Sequence, residues 1–202
     1  MTKQTTSVIH HVTDHRNIKT IQKKGIHAGY ICSEANLAGC QLDDLIMMDH
    51  ELNIEERTRD MFNQILNHNK PHRTLPSHDQ AVFFWSDDKT ARYHRSAMDR
   101  KNPLGNYHIV KIYHPLVPCQ CYEADFQKAE DLFEHIEKNI DDIERIENTG
   151  PETKEDKTII KKADQLAKQY YKTMRPYKGI PNPDKEVVCP CSIPKKAIVR
   201  IV

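Results

Sequence analysis

Two segments at opposite ends of the chain decide the fold: Val8-Ile-His-His-Val-Thr-Asp-His-Arg-Asn-Ile-Lys-Thr-Ile-Gln-Lys-Lys-Gly25 and Asp184-Lys-Glu-Val-Val-Cys-Pro-Cys-Ser-Ile-Pro-Lys-Lys-Ala-Ile-Val-Arg-Ile-Val202. The first predicts a β-strand that carries two histidines, then a short helix that Asp14 caps and Gly25 ends. The second places an acidic residue, Glu186, at the start of an apolar strand. Together they predict a mixed sheet that holds a ligand in a cleft.

The segments between these ends predict an α+β chain. Asn53 with Glu56 resembles a capping box and predicts a helix start there. The continuous apolar run at 81–85 predicts a strand that is buried on both faces, and three- and four-residue spacing predicts helices. The predicted strands are 7–13, 81–85, 107–113, 186–189 and 197–202, and the other predicted helices are 89–100, 123–147 and 156–174. Regular crossover helices do not separate the strands, so α+β is favoured over a doubly wound sheet. We expect one domain over residues 1–202.

The charge and composition of the chain limit the functions that it can have. The chain has 30 Lys and Arg against 29 Asp and Glu, for a net charge of +1. This balance argues against binding to nucleic acid or an anionic membrane that is driven mainly by electrostatic attraction. No apolar run reaches the ~20 residues that a membrane span needs. Residues 1–6 lead directly into a predicted strand, so we expect no secretion signal, a cytoplasmic location and reduced thiols.

The first strand carries the first candidate site residues. Because side chains alternate along a strand, His10 and His11 point to opposite faces, and Thr13 shares the face of His11. A histidine there can bind a ribose hydroxyl, with Thr13 and Asn17 as further polar groups, or can be an ordinary core residue. Glu186 has the same two interpretations: a carboxylate for acid–base chemistry or a solvated strand-edge residue.

Short motifs in the expected order give the chain a family resemblance. His11-Val-Thr13 with Asn17-Ile18 and Gly25-Ile26 resembles the opening of the DarT-like DNA ADP-ribosyltransferases. Val82-Phe-Phe-Trp85 resembles their central aromatic strand, and Arg95-Ser-Ala-Met98 resembles the segment that follows it. Glu186-Val-Val188, followed by Ser192-Ile-Pro194, resembles the ending that carries their catalytic glutamate.

The resemblance implies a split mixed sheet with flanking helices and a mono-ADP-ribosyltransferase that uses NAD as a substrate. It implies that Glu186 is the catalytic acid–base and that His11, Thr13 and Asn17 line the nicotinamide–ribose pocket. Arg95 would contact the phosphates or the developing charge and, with His11, complete the catalytic set; Arg92 competes with Arg95. Tyr30 would stack on nicotinamide in a histidine–tyrosine–glutamate arrangement.

The partners that follow are NAD and an acceptor, either a nucleic-acid base or a protein side chain. The DNA-recognition segment of the family is not recognisable here, so the choice of DNA, RNA or protein stays open. A toxin role, delivery to a target cytoplasm and an antitoxin partner would fit the resemblance. We expect a monomer without a membrane partner.

The cysteines support an alternative. Cys119-Gln-Cys121 and Cys189-Pro-Cys191 are two CxC pairs. Their four thiolates could bind a structural zinc ion, with His108 and His114 as further candidate ligands. In that case the chain would be a non-catalytic, Cys/His-stabilised module that binds nucleic acid or protein. Buried small residues are the simpler interpretation, so we expect no metal. The basic stretch around Tyr170, Tyr171 and Tyr177 is expected to pack its tyrosines inward.

Overall fold

A seven-stranded antiparallel sheet forms within the part of the chain that the structure describes. The computed structural model describes residues 7–27, 42–72, 75–101 and 105–202. The sheet has the strand order β5-β4-β6-β2-β1-β3-β7, and every strand pair is antiparallel. Its strands are β1 Val8–Asp14, β2 Val82–Trp85, β3 Tyr107–Tyr113, β4 Tyr122–Asp125, β5 Arg175–Pro176, β6 Lys185–Cys189 and β7 Ile198–Ile201. The α+β class is confirmed; the pairing is antiparallel where the resemblance implies a mixed sheet.

In the described residues, six α-helices accompany the strands. They are α1 Ile18–Lys24, α2 Leu42–Asn69, α3 Asp88–Lys101, α4 Phe126–Lys138, α5 Ile140–Thr149 and α6 Lys154–Thr173. The described residues form two compact units. One unit contains the sheet with α1 and α3 (7–27, 79–101, 105–125 and 174–202), and the other contains the remaining helices (42–72, 75–78 and 126–173). The prediction of a single domain stays a prediction.

The two faces of the sheet have different roles. One face packs into the hydrophobic core of the unit, where α1 contributes Ile21; other members include Ile9, Phe84, Val110, Ile112 and Val187. The opposite face of β1, β2 and β3 contacts α3. Since side chains alternate along each strand, the residues between these core positions face α3. Phe83 and Trp85 are therefore half-buried, and the prediction that 81–85 is buried on both faces is wrong.

Gly25 ends α1 as predicted, with a positive φ of 90° and its amide donating to Ile21 O at 2.9 Å. A Cβ at this position would lie 2.1 Å from the carbonyl oxygen of Ile193. Glycine is thus required twice: for the left-handed backbone and for the close approach of the chain before β7. Ile26 then pairs with Ile193 in an antiparallel bridge, which ties the first segment to the last.

Two predicted helix boundaries are wrong. The apolar spacing over 123–147 predicts one helix, but residues 122–125 belong to β4 and the helix breaks at Asn139. At the break Asn139 leaves the helical conformation, with φ −127° and ψ 19°, and its backbone amide donates to Ile136 O at 3.0 Å, a tighter turn than that of an α-helix. Asn53 lies inside α2 and not at its start, because α2 begins at Leu42.

Two disulfides join the start of β4 to the end of β6: Cys121–Cys189 and Cys119–Cys191, with Cα–Cα distances of 4.4 and 6.2 Å. The expectation of reduced thiols is wrong for these four cysteines. The register explains the pairing. Tyr122 faces Val188 in the ladder, so the next positions outward bring Cys121 to Cys189. Cys32 and Cys40 lie outside the described residues.

Candidate functional site

Four polar or aromatic side chains lie in one row across the sheet. Glu186 of β6 is paired with Trp85 of β2, Trp85 with His10 of β1, and His10 with Lys111 of β3. Residues directly opposite one another in an antiparallel pair place their side chains on the same face. The row therefore collects a carboxylate, an indole, an imidazole and an ammonium group on the face that contacts α3.

His10 is held in one orientation by its neighbours. Its side chain is buried, with Nδ1 3.3 Å from the Trp85 carbonyl and Nε2 3.6 Å from Asp88 Oδ1. The carbonyl can only accept, so Nδ1 carries the hydrogen in the neutral ring. Burial lowers the pKa of His10, although the Trp85 carbonyl and Asp88 partly oppose the change. Near pH 7 His10 is thus a neutral imidazole with Nε2 as an acceptor.

Asp88, the first residue of α3, anchors the charges of this row. Lys111 Nζ lies 2.6 Å from Oδ1, and Arg92 Nε donates to Oδ2 at 2.6 Å. These two cations, with Lys111 the larger influence, lower the pKa of Asp88 to about 2. Asp88 therefore stays a carboxylate at all physiological pH values and fixes Lys111 beside His10.

The ring of Trp85 stacks on the ring of His94 from α3. The two rings are nearly parallel, with centroids 3.8 Å apart and an interplanar angle of 3°. Burial lowers the pKa of His94, so the stacked ring is neutral. The adjacent Tyr93 is 65% exposed and contacts His94 edge-on. Flat faces of this kind are suited to stacking on a planar heteroaromatic group.

Glu186 lies at the inner end of the row and is only 5% exposed. Its second neighbour across the sheet is Ala124 of β4, a small side chain on the same face. Carboxylates are rarely buried to this degree unless they are paired or functional. The solvated strand-edge interpretation of Glu186 is therefore wrong, because the residue lies inside a central strand.

The structure places His11 apart from Glu186. Its side chain lies on the opposite face of β1, where Nδ1 donates to Phe83 O at 2.9 Å and the ring contacts Phe84. Thr13 shares that face and is buried, and its hydroxyl accepts from Asn17 Nδ2 at 3.2 Å. His11 and the Thr13–Asn17 pair thus lie on the core side of β1.

The two arginines differ in their partners. Arg92 is bound to Asp88, as described above. Arg95 Nε lies 4.0 Å from Asp99 Oδ2 and makes no hydrogen bond to the described part of the chain. Tyr30 lies outside the described residues. Of the predicted site residues, Glu186 and Arg92 take part in the row or its charge network.

Sequence reasoning missed His10, Trp85, Asp88, Lys111 and His94 as members of one cluster. Alternation along β1 shows that the two histidines face apart, but only strand register shows which of them faces Glu186. A usable signal was the sequence Trp85-Ser-Asp-Asp88, in which polar residues directly follow a strand that ends on an aromatic side chain.

Other candidate features lie elsewhere. Within the described ranges, no group of three or more His, Cys, Asp or Glu is placed to hold a metal ion, and no helix is both long and apolar enough to cross a bilayer. Tyr170, Tyr171 and Tyr177 are buried, as predicted.

The helical unit contains an open cavity of about 410 Å³ among α2, α5 and α6. Its lining includes Ile65, Ile143, Ile146 and Ile160 with His68 and Glu147. None of these lining residues belongs to the row.

The chain matches no protein-family model, no curated protein and no solved structure.

Proposed function

We propose that the chain is an NAD-dependent mono-ADP-ribosyltransferase whose site is the His10–Trp85–Glu186 row. The observation that carries the proposal is the buried Glu186 carboxylate, in register with an indole and a neutral imidazole on one face of the sheet. Breaking the nicotinamide–ribose bond develops positive charge on the ribose, and a fixed carboxylate beside it stabilises that charge. The family resemblance supports the same reaction.

Each group has a role in this mechanism. The Glu186 carboxylate orients a ribose hydroxyl and then accepts the proton of the attacking acceptor. The neutral Nε2 of His10 accepts a hydrogen bond from a hydroxyl or an amide. Tyr93, which is 65% exposed beside the Trp85–His94 stack, offers a flat surface to the nicotinamide or adenine ring. Lys111 and Arg95 supply positive charge for the diphosphate. The proposal requires the groups that cover His10 and Glu186 to move, because both side chains are 5% exposed.

Labelled NAD tests the proposal. The purified chain is incubated with NAD and, separately, with single-stranded DNA, RNA or lysate protein. We expect nicotinamide release and transfer of label to one of these pools, both dependent on Glu186. A folded chain that releases no nicotinamide with any pool would refute the enzyme.

A further inference from the structure

We propose that the four disulfide cysteines form a redox-gated zinc site: two disulfides when oxidised, and four thiolates that bind one Zn²⁺ when reduced. The proposal does not depend on the transferase activity. It follows from the convergence of two CxC pairs at one end of the β4–β6 ladder.

The two cross-links are neighbours at one end of the β4–β6 ladder, because only one residue separates the two cysteines of each CxC pair. Cys121 and Cys189 are buried in the core, and Cys119 packs against it. Because one residue spans at most about 3.6 Å of chain, the two Cα atoms of each pair lie within about 7 Å of each other. Thiolates bound to zinc at about 2.3 Å lie roughly 3.8 Å from one another.

The outer pair has the freedom to close that gap. The paired ladder ends at Tyr122 and Val188, and the chain bends at 118–119 and at 190–191. Cys119 and Cys191 thus lie beyond the hydrogen-bonded strands, on backbone that can move toward the inner pair. They are also half-buried, whereas Cys121 and Cys189 are fully buried. A reductant therefore meets the Cys119–Cys191 bond first.

A dithiol can supply the electrons and protons that reduce both disulfides. Each protein disulfide takes two electrons and two protons from one dithiol, which becomes a disulfide itself. Two such exchanges give four thiols. Zinc then displaces four protons and bonds to the four sulfur atoms, which holds β4 to β6 in place of the cross-links. The same strand ends are thus joined in both an oxidising and a reducing compartment.

Cobalt binding tests the site on the full chain. The protein is reduced without denaturant by a dithiol, which is then removed under nitrogen; thiol titration counts the new thiols, and Co²⁺ is added as a spectroscopic probe. We expect the reduced chain to show the sulfur-to-cobalt charge-transfer and tetrahedral bands of one Co²⁺, which Zn²⁺ displaces. The oxidised chain, its own matched control, should show neither.

Two variants assign the ligands. Cys32→Ser/Cys40→Ser should retain the bands after reduction, and Cys119→Ser/Cys191→Ser should bind Co²⁺ at least about a hundredfold more weakly. Zinc should also raise the melting temperature of the reduced wild-type chain. The proposal is overturned if the dithiol fails to open the bonds or if the four freed thiols bind no Co²⁺. Loss of the bands in Cys32→Ser/Cys40→Ser, or their persistence in Cys119→Ser/Cys191→Ser, would overturn it as well.

Discussion

His10 and His11 are consecutive in β1 but lie on opposite faces of the sheet. His10 shares its face with Trp85 and Glu186, whereas His11 donates to the carbonyl of Phe83 and contacts Phe84. β1 and β2 share the single residue pair His10–Trp85, so the imidazole of His11 provides a further link between these strands. One histidine thus lies on the face of the proposed site, and the other links two strands on the core side of the sheet.

The first prediction separates these two roles. His10→Ala should lower the kcat/KM for NAD consumption by about 100-fold, because it removes the imidazole that shares the face of Glu186. His11→Ala should lower the free energy of unfolding by about 1–3 kcal/mol, because it leaves the Phe83 carbonyl without its donor. Urea unfolding and initial rates measured on the same preparations compare the two variants.

The reverse pattern would place the substrate on the core side of β1. If His11→Ala removes activity from a fully folded chain while His10→Ala leaves the rate intact, the proposed row is not the site. Thr13 and Asn17 would then become the next residues to substitute.

The second prediction concerns Glu186. Glu186→Gln keeps the size of the side chain but removes its charge, and should lower NAD consumption by about 100- to 10,000-fold. The matched control is Glu123→Gln, which changes another buried strand carboxylate. Glu123 is paired with Val187, on the other face of the sheet, and binds Arg175. Equal losses in the two variants would attribute the effect to stability.

Much of the fold follows from local pattern. The strands at 82–85 and 107–113 and the helix at 154–173 were predictable because burial imposes a period of two or of 3.6 on their apolar residues. The break at Asn139 was not predictable, because the helical spacing of the apolar residues continues through it from α4 into α5. The disulfides do not follow from local pattern, because the pairing of their cysteines depends on the register of β4 with β6.

The candidate site was predictable only in part. Glu186 could be selected from the sequence because an acidic residue is unusual at the start of an apolar strand. Lys111 and Asp88 could not be selected, because their meeting depends on which strands are neighbours and on where α3 lies. That contact depends on the pairing of segments that are distant in the sequence, and a single sequence does not show that pairing.

The third prediction is that acid destabilises the helical unit through His78. Burial lowers the pKa of His78 from 6.5 to about 3, and its ring contacts Phe62 and Asn63. Below pH 6.5 the unfolded chain binds a proton that the folded chain excludes, so stability falls as the pH falls. The loss from this residue should reach about 2 kcal/mol at pH 5.

Urea unfolding between pH 7.5 and pH 5 measures how the free energy of unfolding depends on pH. His78→Gln should weaken this pH dependence, because the variant has no proton to bind at this position. His68→Gln, which changes an exposed histidine on α2, should leave it unchanged. A wild-type pH dependence retained in His78→Gln would show that the acid sensitivity has another origin.

The fourth prediction is that the two disulfides stabilise the chain non-additively. Each closes a loop of about seventy residues, which a chain-entropy calculation values at about 4 kcal/mol. Once either bond is present, the other closes only a small additional ring of about six residues, so it adds about half as much. Cys119→Ser/Cys191→Ser should therefore lower the free energy of unfolding by about 2 kcal/mol. Substitution of all four cysteines should cost about 4 kcal/mol more. Additive losses in urea titrations of the two variants would mean that each bond stabilises the native strand ends directly, and not by restricting the unfolded chain.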